Sequence, residues 1–253
     1  MKVFVKRKGV NNHLKRKDLI LGILAVLVVI LALSTGSLWS KVKILEKGQS
    51  GEGEALVAGS QKERINFGQI EGLQDDDHVR GDREARILLV EYSDLECPFC
   101  QRFHSTGQQI VDEFQGQVAW VYRHFPLDQL HSKARKEAEA TECAAELGGE
   151  DGFWRLTDKI YEVTPSNNGL DLASLPDLAT EVGLNKDEFE DCLNSGRQAQ
   201  KVEEDYQSGV KAGITGTPGN ILLDTKTGER RLIPGAVPLS QLKEEIESLL
   251  QND

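Results

Sequence analysis

Two cysteines three residues apart, Cys97 and Cys100, enclose Pro98 and Phe99, and this quartet is the part of the 253-residue chain best suited to chemistry. A thiolate attacks a disulfide sulfur, and a second thiol within reach turns that attack into a reversible two-electron exchange. The quartet follows the apolar run Ile87-Leu88-Leu89-Val90, which reads as a strand buried on both faces of a sheet, and it opens a stretch predicted to be helical from about Pro98 to Phe114. At a helix start Cys97 faces unpaired backbone N–H groups and the positive end of the helix dipole, so its pKa is expected to fall. Pro98 suits the first helical turn, where no N–H is needed. Cys100 lies one turn further in, so Cys97 is expected to attack from a solvent-accessible position and Cys100 to resolve.

Two further cysteines, Cys143 and Cys192, complete the set of four. One alternative makes all four a zinc site, but the second pair lacks the close spacing of a zinc knuckle. In the redox reading Cys143 and Cys192 are structural. Cys143 shares a predicted helix face with Ala140 and Leu147, and Cys192 one with Phe189 and Leu193, so both thiols point inward. A bond between them would close a long loop and contribute roughly 4 kcal/mol on chain-entropy grounds. Two free buried thiols are the alternative.

The surrounding text supplies a scaffold. Val118, Trp120 and Tyr122 alternate as a second strand, so strand, helix and strand open an α/β unit. Residues 129–211 read as helical almost throughout, with stops at Gly148-Gly149, Gly169, Gly183 and Gly196. Asn185 is set to cap a helix, with Glu188 three residues on and Leu184 poised against Phe189. Strand signals return at Ile221-Leu222-Leu223 and Leu232-Ile233 around a turn at Thr227-Gly228, and Leu239 to Leu250 forms a last amphipathic helix. His104, one turn past Cys100, is expected to be a surface histidine, His124 and His131 structural, and Trp120 and Trp154 core residues.

Charge and hydropathy divide the chain before that scaffold. Residues 1–18 form a basic tail with seven cations against Asp18, so the remainder is more acidic than the overall −11. An acidic body repels phosphate backbones, which argues against a nucleic-acid partner. Residues 19–39 carry no charge and are long enough for a helix to cross a hydrocarbon core of about 30 Å, with Trp39 at an interfacial position. A single N-terminal transmembrane helix is therefore expected, the tail cytoplasmic and the rest extracytoplasmic; a cleaved signal peptide and a buried core helix are the alternatives. Residues 40–83, with scattered glycines and the acidic run Asp75-Asp76-Asp77, read as a linker.

Over about residues 84–250 the sequence resembles the DsbA-like branch of the thioredoxin superfamily. The resemblance rests on Val90-Glu91-Tyr92-Ser93-Asp94 leading into Cys97-Pro98-Phe99-Cys100, on Arg123-His124-Phe125-Pro126-Leu127 after the second strand, on the Ala/Glu-rich segment with Cys143, and on Gly216-Thr217-Pro218 before a late strand. It implies an α/β thioredoxin fold with a helical insertion, residues 84–253 forming the domain. It identifies Pro218 as a cis-proline beside the redox pair, with Thr217 extended for pairing to a substrate peptide. It also implies a buried acid at Glu91, whose raised pKa suits the proton that Cys100 exchanges. Gly219-Asn220 replaces the family's usual small hydroxyl and aromatic residues, and Phe99 stands where the best-known strong oxidant has a histidine.

The function expected from these features is a thiol–disulfide oxidoreductase, acting as an oxidase on exported polypeptides and reoxidised by a membrane quinone-linked partner of the DsbB or VKOR type. A membrane-tethered reductase or isomerase of the same fold is the second reading, and a redox-inert or zinc-binding module the third. No cofactor, no metal and a monomeric state are expected.

Overall fold

A computed structural model describes residues 72–251. The expected basic tail, the 19–39 anchor and the linker up to residue 71 lie outside the described residues. Among the described residues no helix is long and apolar enough to cross a membrane.

Five strands form one sheet in the order β1-β3-β2-β4-β5. They are β1 (His78–Arg80), β2 (Ile87–Ser93), β3 (Val118–His124), β4 (Gly219–Asp224) and β5 (Arg230–Pro234). β2 and β3 run parallel, joined across the sheet by α1 (Pro98–Glu113), while β1, β4 and β5 are antiparallel to their neighbours. All seven residues of β2 are buried, because the sheet is covered on both faces. Ile87, Leu89, Glu91 and Ser93 point to the face that α1 packs against, while Leu88, Val90 and Tyr92 point to the other. On the first face Gly107 lets α1 approach closely, since a Cβ there would stand 2.9 Å from the Trp120 indole.

The helical insertion is α2 (Ala134–Val163), a 3₁₀ turn (Leu172–Ser174), α3 (Leu175–Glu181), α4 (Lys186–Ser195) and α5 (Ala199–Ala212). α2 kinks at Gly149, where φ is 62°, at one of the predicted stops. Asn185 accepts the Glu188 amide at 3.1 Å to cap α4, with Leu184 and Phe189 both buried beside it. α6 (Leu239–Leu250) closes the chain with Leu242, Ile246 and Leu249 inward.

Two expectations need correction. The linker assignment for 40–83 runs too far, because β1 pairs with β3 and Asp77 holds Arg123 at 2.7 Å, both side chains almost wholly buried. A three-residue edge strand carries too little alternation to be read, and Asp77 looked like one of three solvated acids. The second strand expected from Val118, Trp120 and Tyr122 is β3, in which Ala119, Val121 and Arg123 are as buried as their neighbours, under α5. His104 is not a surface histidine. It is 6% exposed, edge-on to Trp120 and bonded to Asp158 at 2.6 Å, because the insertion helix α2 covers that side of α1.

Candidate active site

The redox pair sits where β2 hands the chain to α1. Cys97 is the N-cap residue of α1, with φ −80° and ψ 120°, and Pro98 occupies the first turn. Cys97 and Cys100 are free thiols. Cys97 is only 3% exposed, tighter than the solvent-accessible position expected, because its sulfur rests against the Thr217 carbonyl at 3.5 Å. The Thr217–Pro218 bond is cis, so the loop before β4 comes alongside the pair as the resemblance implied. Gly219 follows because a Cβ there would lie 2.6 Å from Ile214, and Asn220 is buried with its amide donated to the Gly235 carbonyl. These contacts account for the two residues that depart from the family pattern.

The two thiols sit in opposed electrostatic settings. The Cys100 thiol hydrogen-bonds the Cys97 sulfur and lowers the Cys97 pKa to about 6; burial resists this, and the backbone amides of Phe99 and Cys100 at the helix start add to it. Cys100 is wholly buried and its pKa is pushed well above the ordinary value, by burial first, then by Cys97 and Glu91. The Phe99 side chain, 52% exposed, contributes no donor to either sulfur and lies under the Arg102 guanidinium at 5.0 Å.

Glu91 faces the pair from β2. It is 1% exposed, and burial raises its carboxyl to about 8 despite hydrogen bonds from Ser93 and Trp120. Ser93 Oγ lies 2.6 Å from Glu91 Oε1 and Trp120 Nε1 donates to Oε2 at 2.9 Å. Ser93 also meets the Tyr161 hydroxyl at 2.9 Å, and Tyr161 meets Tyr122 at 3.2 Å. Trp120 is thus a core residue, as expected, and also a partner of the acid; its place opposite Leu89 in β3 carries no such hint in sequence.

A second buried carboxyl cluster was missed. Glu96, beside Cys97, accepts the Asn168 amide and the Gly169 amide at 3.2 Å, which pins the left-handed run Ser166-Asn167-Asn168 to the helix start. Its other oxygen and both oxygens of fully buried Glu137 have no hydrogen-bond partner. Burial, with Glu96 next to it, lifts Glu137 to about 10, so Glu137 is a protonated acid at neutral pH. Only the residue spacing Glu96-Cys97 was legible; the approach of Glu137 is tertiary.

The remaining candidates fall elsewhere. Cys143 and Cys192 are joined, with Cα atoms 5.8 Å apart, tying α2 to α4, which removes the four-cysteine zinc alternative. His131 bonds Asp94 at 2.9 Å and His124 bonds Glu142 at 3.0 Å, both buried. His124, Glu142 and Asp205 are the one group among the described residues with three ligand-type atoms within 4.8 Å. Their charge is already answered: Lys201 sits 2.8 Å from Asp205, and His78, lifted to about 9 by Glu142 and Glu150 against its burial, caps Glu142.

This geometry agrees with the relatives. The sequence model of the family described as Thioredoxin matches residues 73–233. Among curated proteins, the Na(+)/H(+) antiporter NhaA 3 of Salinispora tropica is 33% identical over 172 residues, 65% of this chain and 25% of that protein. NhaA 1 of Salinispora arenicola is 34% identical over 144 residues, 57% and 21% respectively. The chain therefore spans about a quarter or less of these relatives, and the antiporter names belong to the whole proteins. Among solved structures, Pseudomonas aeruginosa DsbA2 superposes with a TM-score of 0.61 at 29% identity, covering 72% of this chain and 98% of that one. BdbD from Bacillus subtilis in its oxidised form gives 0.62 at 25%, covering 74% and 97%. The α-DsbA1 of Wolbachia pipientis, 23% identical at a TM-score of 0.60, shares the fold. The chain belongs to the thioredoxin family and is a DsbA-like thiol–disulfide oxidoreductase.

Proposed function

We propose that the chain is a dithiol oxidase that introduces disulfides into exported polypeptides. The observation that carries this is the Cys97 thiol, whose pKa of about 6 makes it a thiolate at neutral pH. Stabilising the Cys97 thiolate stabilises the dithiol relative to the disulfide, and a pair whose reduced form is stabilised is an oxidant. A thiolate of the polypeptide attacks Cys97 Sγ, the Cys97–Cys100 bond breaks, and Cys100 leaves as a thiolate that takes a proton from the side of Glu91. A second thiolate of the polypeptide then attacks its own sulfur in the mixed disulfide, and Cys97 leaves as a stable thiolate. The polypeptide gains a disulfide and the pair gains two electrons. Thr217 and Pro218 hold the extended peptide edge beside Cys97 during this exchange.

The uncharged 19–39 segment behind a basic tail supports an extracytoplasmic domain on a single membrane anchor, and the Cys143–Cys192 bond fits an oxidising compartment. A quinone-linked membrane partner of the DsbB or VKOR type would return the pair to the disulfide. The Phe99 side chain, which gives the thiolate no charge or donor, favours the second reading, a reductase of lower potential. The test is stoichiometric: the oxidised domain is mixed with a reduced, unfolded polypeptide and thiols are counted. The oxidase reading expects one substrate disulfide per Cys97–Cys100 pair within a single turnover and none with Cys97→Ser. Faster reduction of a disulfide-bonded polypeptide by the dithiol form would instead favour the reductase.

A further inference from the structure

We propose that the Asp94 backbone N–H stabilises the Cys100 sulfur as it leaves as a thiolate, and that His131 is the positioning residue that holds Asp94 in place for this. The inference rests on Cys100 being the resolving thiol, as set out above, and holds in whichever direction the exchange runs.

The case begins with the donors around Cys100 Sγ. The N–H of Asp94, the first residue after β2, donates to that sulfur at 3.5 Å. The side-chain donors nearby are turned elsewhere. Ser93 Oγ donates to Glu91 at 2.6 Å, Trp120 Nε1 donates to Glu91 at 2.9 Å, and the Tyr161 hydroxyl donates to the Asp94 carbonyl at 3.4 Å. A main-chain N–H cannot rotate away as a hydroxyl can, so it is already aimed at Cys100 when charge develops there. A hydrogen bond to an ionised acceptor is the stronger one, so the amide favours the leaving thiolate over the disulfide sulfur. When a substrate thiolate attacks Cys97, the electron pair of the Cys97–Cys100 bond passes to Cys100 Sγ. The Asp94 N–H keeps its proton throughout, and Cys100 is protonated afterwards from the side of Glu91.

Asp94 is tied to both cysteines and locked from outside. Its carbonyl accepts the Cys97 N–H at 3.0 Å, so one residue contacts both members of the pair through its backbone. Its carboxylate, wholly buried, accepts three N–H groups: the Glu96 amide on Oδ1 at 2.8 Å, and on Oδ2 the Leu127 amide at 2.8 Å and His131 Nδ1 at 2.9 Å. The Glu96 bond is local and shapes the 94–97 turn. Leu127 and His131 come from the connection between β3 and α2, and they form one turn in which the His131 N–H donates to the Leu127 carbonyl at 2.8 Å. They therefore fix Asp94 against a second part of the fold. Burial works against an ionised Asp94, so these donors are also what keep its charge in place. His131 acts through Asp94, and it is the member of this set whose side chain can be exchanged without altering Asp94 or the backbone.

The test uses single-turnover kinetics of the domain at pH 7, following formation and resolution of the mixed disulfide with a polypeptide substrate. His131→Leu removes the donor, while His131→Asn has nearly the same shape as Leu and returns an amide N–H close to the place of Nδ1. His131→Leu is expected to slow the Cys100 step about ten-fold in both directions, the scale of one hydrogen bond to a charged group. His131→Asn is expected to recover most of that loss. Equal slowing both ways leaves the exchange equilibrium with glutathione unchanged, and the alkylation midpoint of Cys97 should stay near 6. Should His131→Leu fail to fold, Asp94→Asn gives the same reading, since an amide group cannot accept from both sides of the carboxylate site. A rate within about two-fold of wild type in the folded variant, equal slowness of the Leu and Asn variants, or a Cys97 midpoint that moves with the rate would each overturn the proposal. Cys100→Ser in the same assay tests the underlying roles separately. If it traps no mixed disulfide, the assignment of Cys100 fails whatever His131 does.

Discussion

The two cysteine pairs are equally buried and chemically opposite. Cys97, Cys100, Cys143 and Cys192 are 3%, 0%, 0% and 0% exposed, so accessibility does not separate them. Their polar neighbours do. Around Cys97 and Cys100 stand the first amides of α1, the Thr217 carbonyl, the Ser93 hydroxyl and the Glu91 carboxyl, which set one thiol down and the other up. Cys143 and Cys192 bridge two helices among Ala140, Ala144, Phe189 and Leu193, and the carboxylate beside them, Glu146 at 3.9 Å from Cys192 Sγ, is held ionised by Arg197. Reactivity in this molecule follows from the dipoles and protons aimed at a sulfur.

The largest effect that would break this contrast is loss of exchange. Cys97→Ser should abolish it, while Cys100→Ser should keep first attack and accumulate mixed disulfides, as read on a non-reducing gel. Mild reduction followed by alkylation and mass mapping should label Cys97 first and leave Cys143 and Cys192 joined. Equal labelling of all four thiols would erase the distinction.

Next in size is the structural pair. The bond spans 49 residues, so Cys143→Ala/Cys192→Ala should lower unfolding stability by up to about 4 kcal/mol on chain-entropy grounds, read from denaturant midpoints. Exchange at Cys97 in the folded variant should stay near the wild-type rate.

Glu91 sharpens the comparison from the proton side. Its carboxyl titrates near 8 when folded and at 4.5 in the unfolded chain, so the folded state keeps a proton that the unfolded state loses between those values. The stability linked to Glu91 is therefore complete below pH 4.5 and falls as pH rises to about 8. Glu91→Gln should stabilise the dithiol form at pH 8 by on the order of a few kcal/mol and much less at pH 4.5. The same variant should slow the Cys100 step roughly ten- to a hundred-fold, most below pH 8 where the wild-type acid carries its proton.

The smallest effect concerns Phe99. Placing an imidazole beside the thiolate with Phe99→His should lower the Cys97 pKa further and raise the reduction potential by roughly 30 mV, a ten-fold change in the exchange equilibrium. Alkylation against pH and equilibration with glutathione measure both.

Much of this was legible before any coordinates. β2, α1, the β4–β5 hairpin and α6 follow from apolar runs and turn residues, and α6 falls on the predicted residues Leu239 to Leu250. The Cys-Pro-Phe-Cys quartet after a strand carried the redox chemistry by local spacing alone. What stayed hidden depends on distant packing. His104 reads as exposed until α2 lies over it, and Trp120 gives no sign that its N–H meets Glu91 across two strands. Glu96 and Glu137 look like solvated acids on separate segments, and only the folded insertion brings them together.

The reduction potential of the Cys97–Cys100 couple, measured at pH 7 on the folded domain with Cys143–Cys192 intact, tests the central claim most directly. A Cys97 thiolate stabilised to a pKa of about 6 predicts a value less negative than about −200 mV, in the range of proteins that donate disulfides. A value near about −270 mV, that of a thioredoxin-like reductant, would contradict the oxidase reading.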